Sequence, residues 1–174
     1  VIGDDYEGNM LCKLMKQKGI IFQGVQSGRR TTIKTRIIGQ AQQIVRIDKE
    51  DAEELNGDEE QNLLQGILPW VEKADCVILS DYKKGVCTER ICQSVIEEAH
   101  RLGKKVFVDP KQADWHRYRN ADLIKPNFGE FCAVVGKKLK NSETDILEAA
   151  TAVLQRYGLA TLLVTRSQYG MSLI

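Results

Sequence analysis

The sequence of 174 residues predicts an α/β fold: a mostly parallel central sheet with helices on both faces, plus a β-hairpin lid. Three observations carry that expectation. From residue 58 onward, apolar stripes at helical spacing alternate with short β-branched runs in the order α-β-α-β-β-α-α-β, as crossover-connected parallel strands require. Thr32–Ile38 and Gln43–Asp48 each alternate apolar and polar residues around Gly39-Gln40-Ala41-Gln42, which reads as a hairpin outside that sheet. Finally, five strand-like runs stop at small polar clusters. Strand C-termini of an open parallel sheet share one edge, and ligands bind in the crevice there.

Each element follows from local pattern. Asp5 caps a helix to about Lys18 with Met10, Leu11, Leu14 and Met15 on one face, and Gly19 stops it. A strand is expected over Ile20–Val25. The hairpin places Ile33, Thr35, Ile37, Val45 and Ile47 on one face and Lys34, Arg36, Arg46 and Asp48 on the other. Leu63, Leu64, Ile67, Leu68 and Val71 mark a helix from Asp58, which Pro69 is expected to kink or split. Strand Cys76–Leu79 precedes a helix over Thr88–Leu102 with the stripe Ile91, Val95, Ile96, Ala99 and Leu102. Strand Lys105–Val108, a loop with Trp115, His116 and Tyr118, and strand Asp122–Lys125 follow. The last helices begin near Asn127 and at Glu143, each closed by a glycine, and strand Ala160–Thr165 leads to the start of another at Met171.

Composition narrows the function classes. Lys plus Arg (25) nearly balances Asp plus Glu (24), so no bulk field points to nucleic acid or an anionic membrane. No apolar run reaches the roughly 18 residues of a membrane span. The five cysteines contain no Cys-x-x-Cys pair and read as reduced core residues of a cytoplasmic protein. Val1-Ile2-Gly3 reads as the tail of a strand, and the chain stops inside an apolar run, so an internal piece of a longer protein is expected.

The clusters at the strand ends carry the chemistry. Asn127-Phe128-Gly129-Glu130 opens a helix. Asn at the cap with Glu three positions later is capping-box chemistry worth about 1 kcal/mol, while a helix N-terminus also favours anions and a carboxylate can hold Mg²⁺ directly or through water. The two readings are compatible. Asp109-Pro110-Lys111 is either a strand-terminating turn or a phosphate-binding lysine oriented by an aspartate. Ser80-Asp81-Tyr82-Lys83-Lys84-Gly85 allows the same pair of readings. Thr165-Arg166-Ser167 is either a plain β-turn or a set of phosphate contacts. The Lys34/Arg36/Arg46 face is the wet side of a hairpin, or a cationic face turned into the cleft.

Together with Gly3-Asp4-Asp5-Tyr6-Glu7-Gly8 and the hairpin's Thr31–Arg36 and Gln43–Asp48, these clusters resemble the ribokinase-like (PfkB-type) carbohydrate kinases. The nearest resemblance is to the D-glycero-β-D-manno-heptose 7-phosphate kinases, the kinase part of bacterial ADP-heptose synthesis proteins. It implies a partial ribokinase-like kinase domain over 1–174, with a hairpin lid at about 27–50 and an α/β core at about 58–174. It implies ATP-dependent phosphorylation of the heptose 7-phosphate at C1, with ATP and Mg²⁺ as cofactors, in ADP-heptose and lipopolysaccharide synthesis. By motif position, Asn127, Phe128, Gly129, Glu130, Thr165, Arg166 and Ser167 serve the ATP–Mg²⁺ end, with Glu130 nearest the metal. Asp81, Lys84, Asp109, Lys111, Lys34 and Arg36 serve the sugar phosphate, and the hairpin pairs two subunits into a homodimer. The family's glycine-rich N-terminal motif and its Gly-Ala-Gly-Asp element do not occur in this sequence. The base aspartate is therefore expected beyond Ile174, and these residues alone are expected to be inactive. A kinase for another sugar and a non-catalytic partner-binding relic are the alternatives.

Overall fold

The computed structural model describes residues 1–22 and 24–174. Its elements are β1 (Ile2–Gly3), α1 (Tyr6–Gln17), β2 (Gln26–Ser27), β3 (Ile33–Gly39), β4 (Gln42–Lys49), α2 (Gly57–Lys73), β5 (Cys76–Ser80), α3 (Glu89–Arg101), β6 (Lys105–Asp109), β7 (Leu123–Ile124), α4 (Phe128–Val135), α5 (Glu143–Tyr157), β8 (Thr161–Thr165) and β9 (Met171–Leu173). Short 3₁₀ turns cover His116–Tyr118 and Ser167–Tyr169.

The main sheet runs β5-β6-β7-β8-β9, parallel until β9 turns back antiparallel on β8. Alternation decides its faces. Val106, Val108, Ile124, Leu162 and Val164 are fully buried in one core with Ile91, Val95, Ile96 and Ala99 of α3, Phe131 of α4 and Ile146, Ala150 and Val153 of α5. The side chains between them face the other way, where Ile78 and Leu173 are each 67% exposed. Helices of this chain thus cover one face, where both were expected. A strand order that never reverses sends every right-handed crossover to the same side. Cys76 is exposed for the same reason, against its expected place in the core, whereas Cys92 is buried.

The hairpin forms its own two-stranded sheet, with Thr35 opposite Ile47, Ile37 opposite Val45, Lys34 opposite Asp48 and Arg36 opposite Arg46. Its faces are those the alternation predicts. The connection is the pair Gln40-Ala41, both at positive φ (48° and 64°), as a two-residue hairpin turn matched to strand twist requires.

Two local expectations change. The strand at Ile20–Val25 is displaced: β2 holds only Gln26–Ser27, because β1 offers just Ile2 and Gly3 for pairing, and Gln23 lies outside the described residues. Helix α2 is not split at Pro69, which lies inside one helix whose Leu63, Leu64 and Val71 bury their side chains. The apolar stripe of α1 packs on no core; Met10 and Leu14 stay about half exposed at 49% and 47%.

Candidate functional site

The C-terminal ends of the parallel strands are stitched side to side. Asp81 N–H donates to Asp109 O (3.0 Å), Lys125 N–H to Val108 O (2.8 Å) and Thr165 N–H to Pro126 O (3.0 Å). Asn127 and Thr165 form a further parallel bridge. Four polar clusters widely separated in sequence are thereby set in one row, which sequence order alone does not give.

At the centre of the row, Asn127 and Glu130 build a complete capping box. Asn127 Oδ1 accepts from Glu130 N–H and Glu130 Oε2 accepts from Asn127 N–H, both at 2.9 Å. The remaining oxygen, Oε1, accepts from Lys111 Nζ at 3.0 Å. Beside it Lys125 Nζ pairs with Asp109 Oδ1 at 2.9 Å. Two lysine–carboxylate pairs thus stand at this edge, each charge neutralised by its partner.

Next to β8 the arrangement differs from the expected phosphate contacts. Arg166 turns its guanidinium into the fold. Nε donates to Asn141 Oδ1 (3.0 Å), Nη2 to Asn141 O (3.1 Å) and Nη1 to Ser172 Oγ (3.1 Å). Arg166 therefore braces the β8–β9 turn against the loop before α5. Thr165 and Ser167 remain at the edge, Ser167 with φ of 57°.

At the β5 end, Asp81 is buried and fully engaged: Oδ1 accepts Lys83 N–H (2.6 Å) and Oδ2 accepts the hydroxyl of Tyr118. An aspartate that bonds its own backbone two residues on closes a tight turn, here with Lys83 and Gly85 both at positive φ (56° and 73°). The Lys84 ammonium reaches Glu50, at the end of the hairpin, and Lys34 Nζ lies 3.9 Å from the same carboxylate. Lys34 also pairs with Asp48 at 3.4 Å. The predicted Lys34 and Lys84 are thus brought together, through a Glu50 the sequence reading did not single out. Arg36 sits farther up the hairpin, opposite Arg46. A cleft of about 710 Å³ opens beside this foot, lined by Arg29, Glu50, Asp51, Glu53, Asn56 and Glu59 among others.

Other residues absent from the predicted site come into view. Tyr118 bonds Asp81 across 37 positions. Arg29 donates to Lys84 O (3.1 Å) and Glu53 O (2.7 Å). Cys87, at the turn's far end, has its thiol held below the ordinary range by a hydrogen bond with Cys92, against burial and the Asp81 charge, which push it up. No group of three or more His, Cys, Asp or Glu among the described residues could hold a metal ion by itself.

The whole chain, residues 1–174, matches the model of the pfkB family of carbohydrate kinases. The chain belongs to that family. It is 40% identical over 176 residues to the bifunctional protein HldE of Helicobacter pylori, covering 100% of this chain and 38% of that protein. It is also 41% identical over 177 residues to HldE of Trichlorobacter lovleyi, with 99% and 35% covered. The chain thus spans little more than a third of those relatives. Among solved structures, phosphofructokinase-2 from Escherichia coli in complex with potassium superposes with a TM-score of 0.74 at 20% identity, over 99% of this chain and 56% of that one. Ribokinase from Giardia lamblia gives 0.75 at 15%, over 99% and 53%. At such identity these two speak for the fold alone, which is ribokinase-like. No described helix is long and apolar enough to cross a membrane.

Proposed function

We propose that this chain is part of a cytoplasmic sugar-phosphate kinase that transfers phosphate from ATP to C1 of D-glycero-β-D-manno-heptose 7-phosphate. The observation that carries the reading is the row of clusters along one sheet edge: the hairpin foot with Lys34, Glu50 and Lys84 at one end, Asp109, Lys111, Lys125, Asn127 and Glu130 in the middle, and Thr165 and Ser167 at the other. Residues of about 27–50 serve as lid and those of about 58–174 as core. The likeness to two bifunctional HldE proteins at about 40% identity and the pfkB family match support a sugar kinase, and the motif resemblance to heptose 7-phosphate kinases supports the heptose.

When bound, ATP would supply the phosphoryl group and Mg²⁺ would neutralise its charge. A metal carried on substrate phosphates needs only one or two protein carboxylates and keeps several waters. Glu130 suits that, since each carboxylate oxygen accepts one bond, from Lys111 and from Asn127, and keeps a second lone pair for contact through water. Asn127 through Glu130 orient the helix start toward the phosphates, and Thr165 and Ser167 offer hydroxyls. Arg166 acts by fixing their turn. Lys111 and Lys125 stabilise charge at the transferring group, while Lys34, Arg36, Lys84 and Asp109 position the sugar phosphate and Asp81 sets the turn that carries Lys84. The exposed apolar residues of the hairpin, Ile37, Ile38, Ile44, Val45 and Ile47, suit pairing with the hairpin of a second subunit.

The test is a kinase assay on the intact protein with ATP–Mg²⁺, comparing heptose 7-phosphate with fructose 6-phosphate and ribose. Phosphorylation of the heptose in preference to both supports the reading. Activity confined to another sugar, or none in a folded sample, overturns it.

A further inference from the structure

The turn after β5 and the strap that descends from β4 are built on one another. A Cβ at Gly85 would overlap the Glu53 carbonyl, so the two backbones are in direct contact. Leu55 N–H donates to Gly85 O at 3.0 Å. Arg29 bridges Lys84 O and Glu53 O, and the Lys84 ammonium pairs with Glu50. Every one of these contacts fixes the strap, residues 50–55, by way of the turn.

The turn itself depends on Asp81. One carboxylate oxygen holds Lys83 N–H, and the other is held by the Tyr118 hydroxyl, which reaches over from the 3₁₀ turn between β6 and β7. Tyr118 is fully buried, and its backbone is secured: Gln93 Nε2 donates to the carbonyls of Arg117 (3.0 Å) and Arg119 (3.3 Å). Arg117 in turn donates to Cys87 O (2.5 Å) and to Glu54 (3.2 Å), one contact on each side of the same junction. Burial, together with the bond to the Asp81 carboxylate, pushes the phenol far above its ordinary range, so it remains a donor. A buried tyrosine can serve merely to fill a core. Here its polar atom meets a turn residue instead, and the bonds around that turn lead outward to the strap.

We infer that Tyr118 is a positioning residue: acting through Asp81, it fixes the 81–85 turn and so sets where Lys84 and Glu50 hold the foot of the hairpin. The structural part stands on its own. Its consequence for substrate rests on the proposed kinase reading, in which the hairpin closes over the sugar phosphate.

Tyr118→Phe in the intact protein removes only the hydroxyl. Amides in 50–56 and 82–86 should then exchange hydrogen roughly tenfold faster, the scale of one lost charge-assisted bond, while α4 and β8 are unchanged. In steady-state kinetics KM for the sugar phosphate should rise, with KM for ATP unchanged. Unaltered exchange, or a rise spread evenly over the core, overturns the inference. If Tyr118→Phe does not fold, Asp81→Asn weakens the same bond from its other end at constant volume and must show the same local pattern. Because exchange needs no turnover, a parent protein that phosphorylates no sugar would sink the kinase reading and leave the positioning role to be judged on exchange alone.

Discussion

Lys111 Nζ donates a 3.0 Å hydrogen bond to Glu130 Oε1, joining the loop after β6 to the first turn of α4. The same carboxylate completes the capping box through its other oxygen. Its two tasks can be separated. In Glu130→Gln the amide oxygen can still accept Asn127 N–H, so thermal stability should change by less than about 1 kcal/mol. The charge that answers Lys111 and a hydrated Mg²⁺ is lost, so the Mg²⁺ concentration for half-maximal kinase activity should rise several-fold. Metal titration and a melting curve on the same sample check this. An unmoved metal requirement beside a stability loss would leave Glu130 as a cap only.

Gly85 is required by its surroundings more than by its chain. Its φ of 73° is one that a side chain resists, and a Cβ would overlap the Glu53 carbonyl. Gly85→Ala should cost roughly 2 kcal/mol or more, from strain and from lifting the strap off the turn. Equilibrium urea unfolding reads the loss. The midpoint should fall with little change in slope.

Much of this was legible in the sequence because it is local. Asp5 ahead of α1 and Asn127 with Glu130 ahead of α4 are caps written in local residue types. The two faces of the hairpin follow from alternation. What was not legible is set by pairings across distance. Nothing near Tyr118 announces that its hydroxyl meets Asp81, and nothing near Arg166 announces that Asn141 and Ser172 take its guanidinium. The stripe of α1 shows the right period, but a period cannot say whether anything covers it. The order of strands in the sheet, which decides that the described helices leave one face uncovered, is likewise absent from any single segment.

At the opposite edge of the sheet, Asp122 collects Lys105 Nζ (2.7 Å), His100 Nε2 (3.0 Å) and Val106 N–H (2.9 Å). Burial works to raise its pKa, but these partners outweigh that and hold the carboxyl below the ordinary aspartate range. A carboxyl whose folded pKa is lowered contributes stability that is complete above its unfolded value and lost as pH falls through the folded one. Acid should therefore destabilise the protein partly through this group. In Asp122→Asn, the loss of stability between neutral and acid pH should be smaller than in the parent. Melting temperatures across that range decide it, and parallel curves for the two proteins would refute the assignment.

The last prediction concerns Asn141, which lies outside every motif yet holds Arg166 by Oδ1 and by its carbonyl. Asn141→Ala keeps the carbonyl and removes the side-chain acceptor. The guanidinium Nε then lacks its partner in a half-buried position, which should cost about 1 to 2 kcal/mol. The consequence for activity is directional. Arg166 braces the turn that carries Thr165 and Ser167, and Thr165 is hydrogen-bonded onward to Pro126, immediately before the Asn127 cap. A loosened turn should raise KM for ATP several-fold and leave KM for the sugar phosphate unchanged, the reverse of the split expected for Tyr118→Phe. Measuring both constants in both variants tests whether the two ends of the sheet edge act separately. If Asn141→Ala instead raised KM for the sugar, the nucleotide would have to be reassigned to the other end of the row.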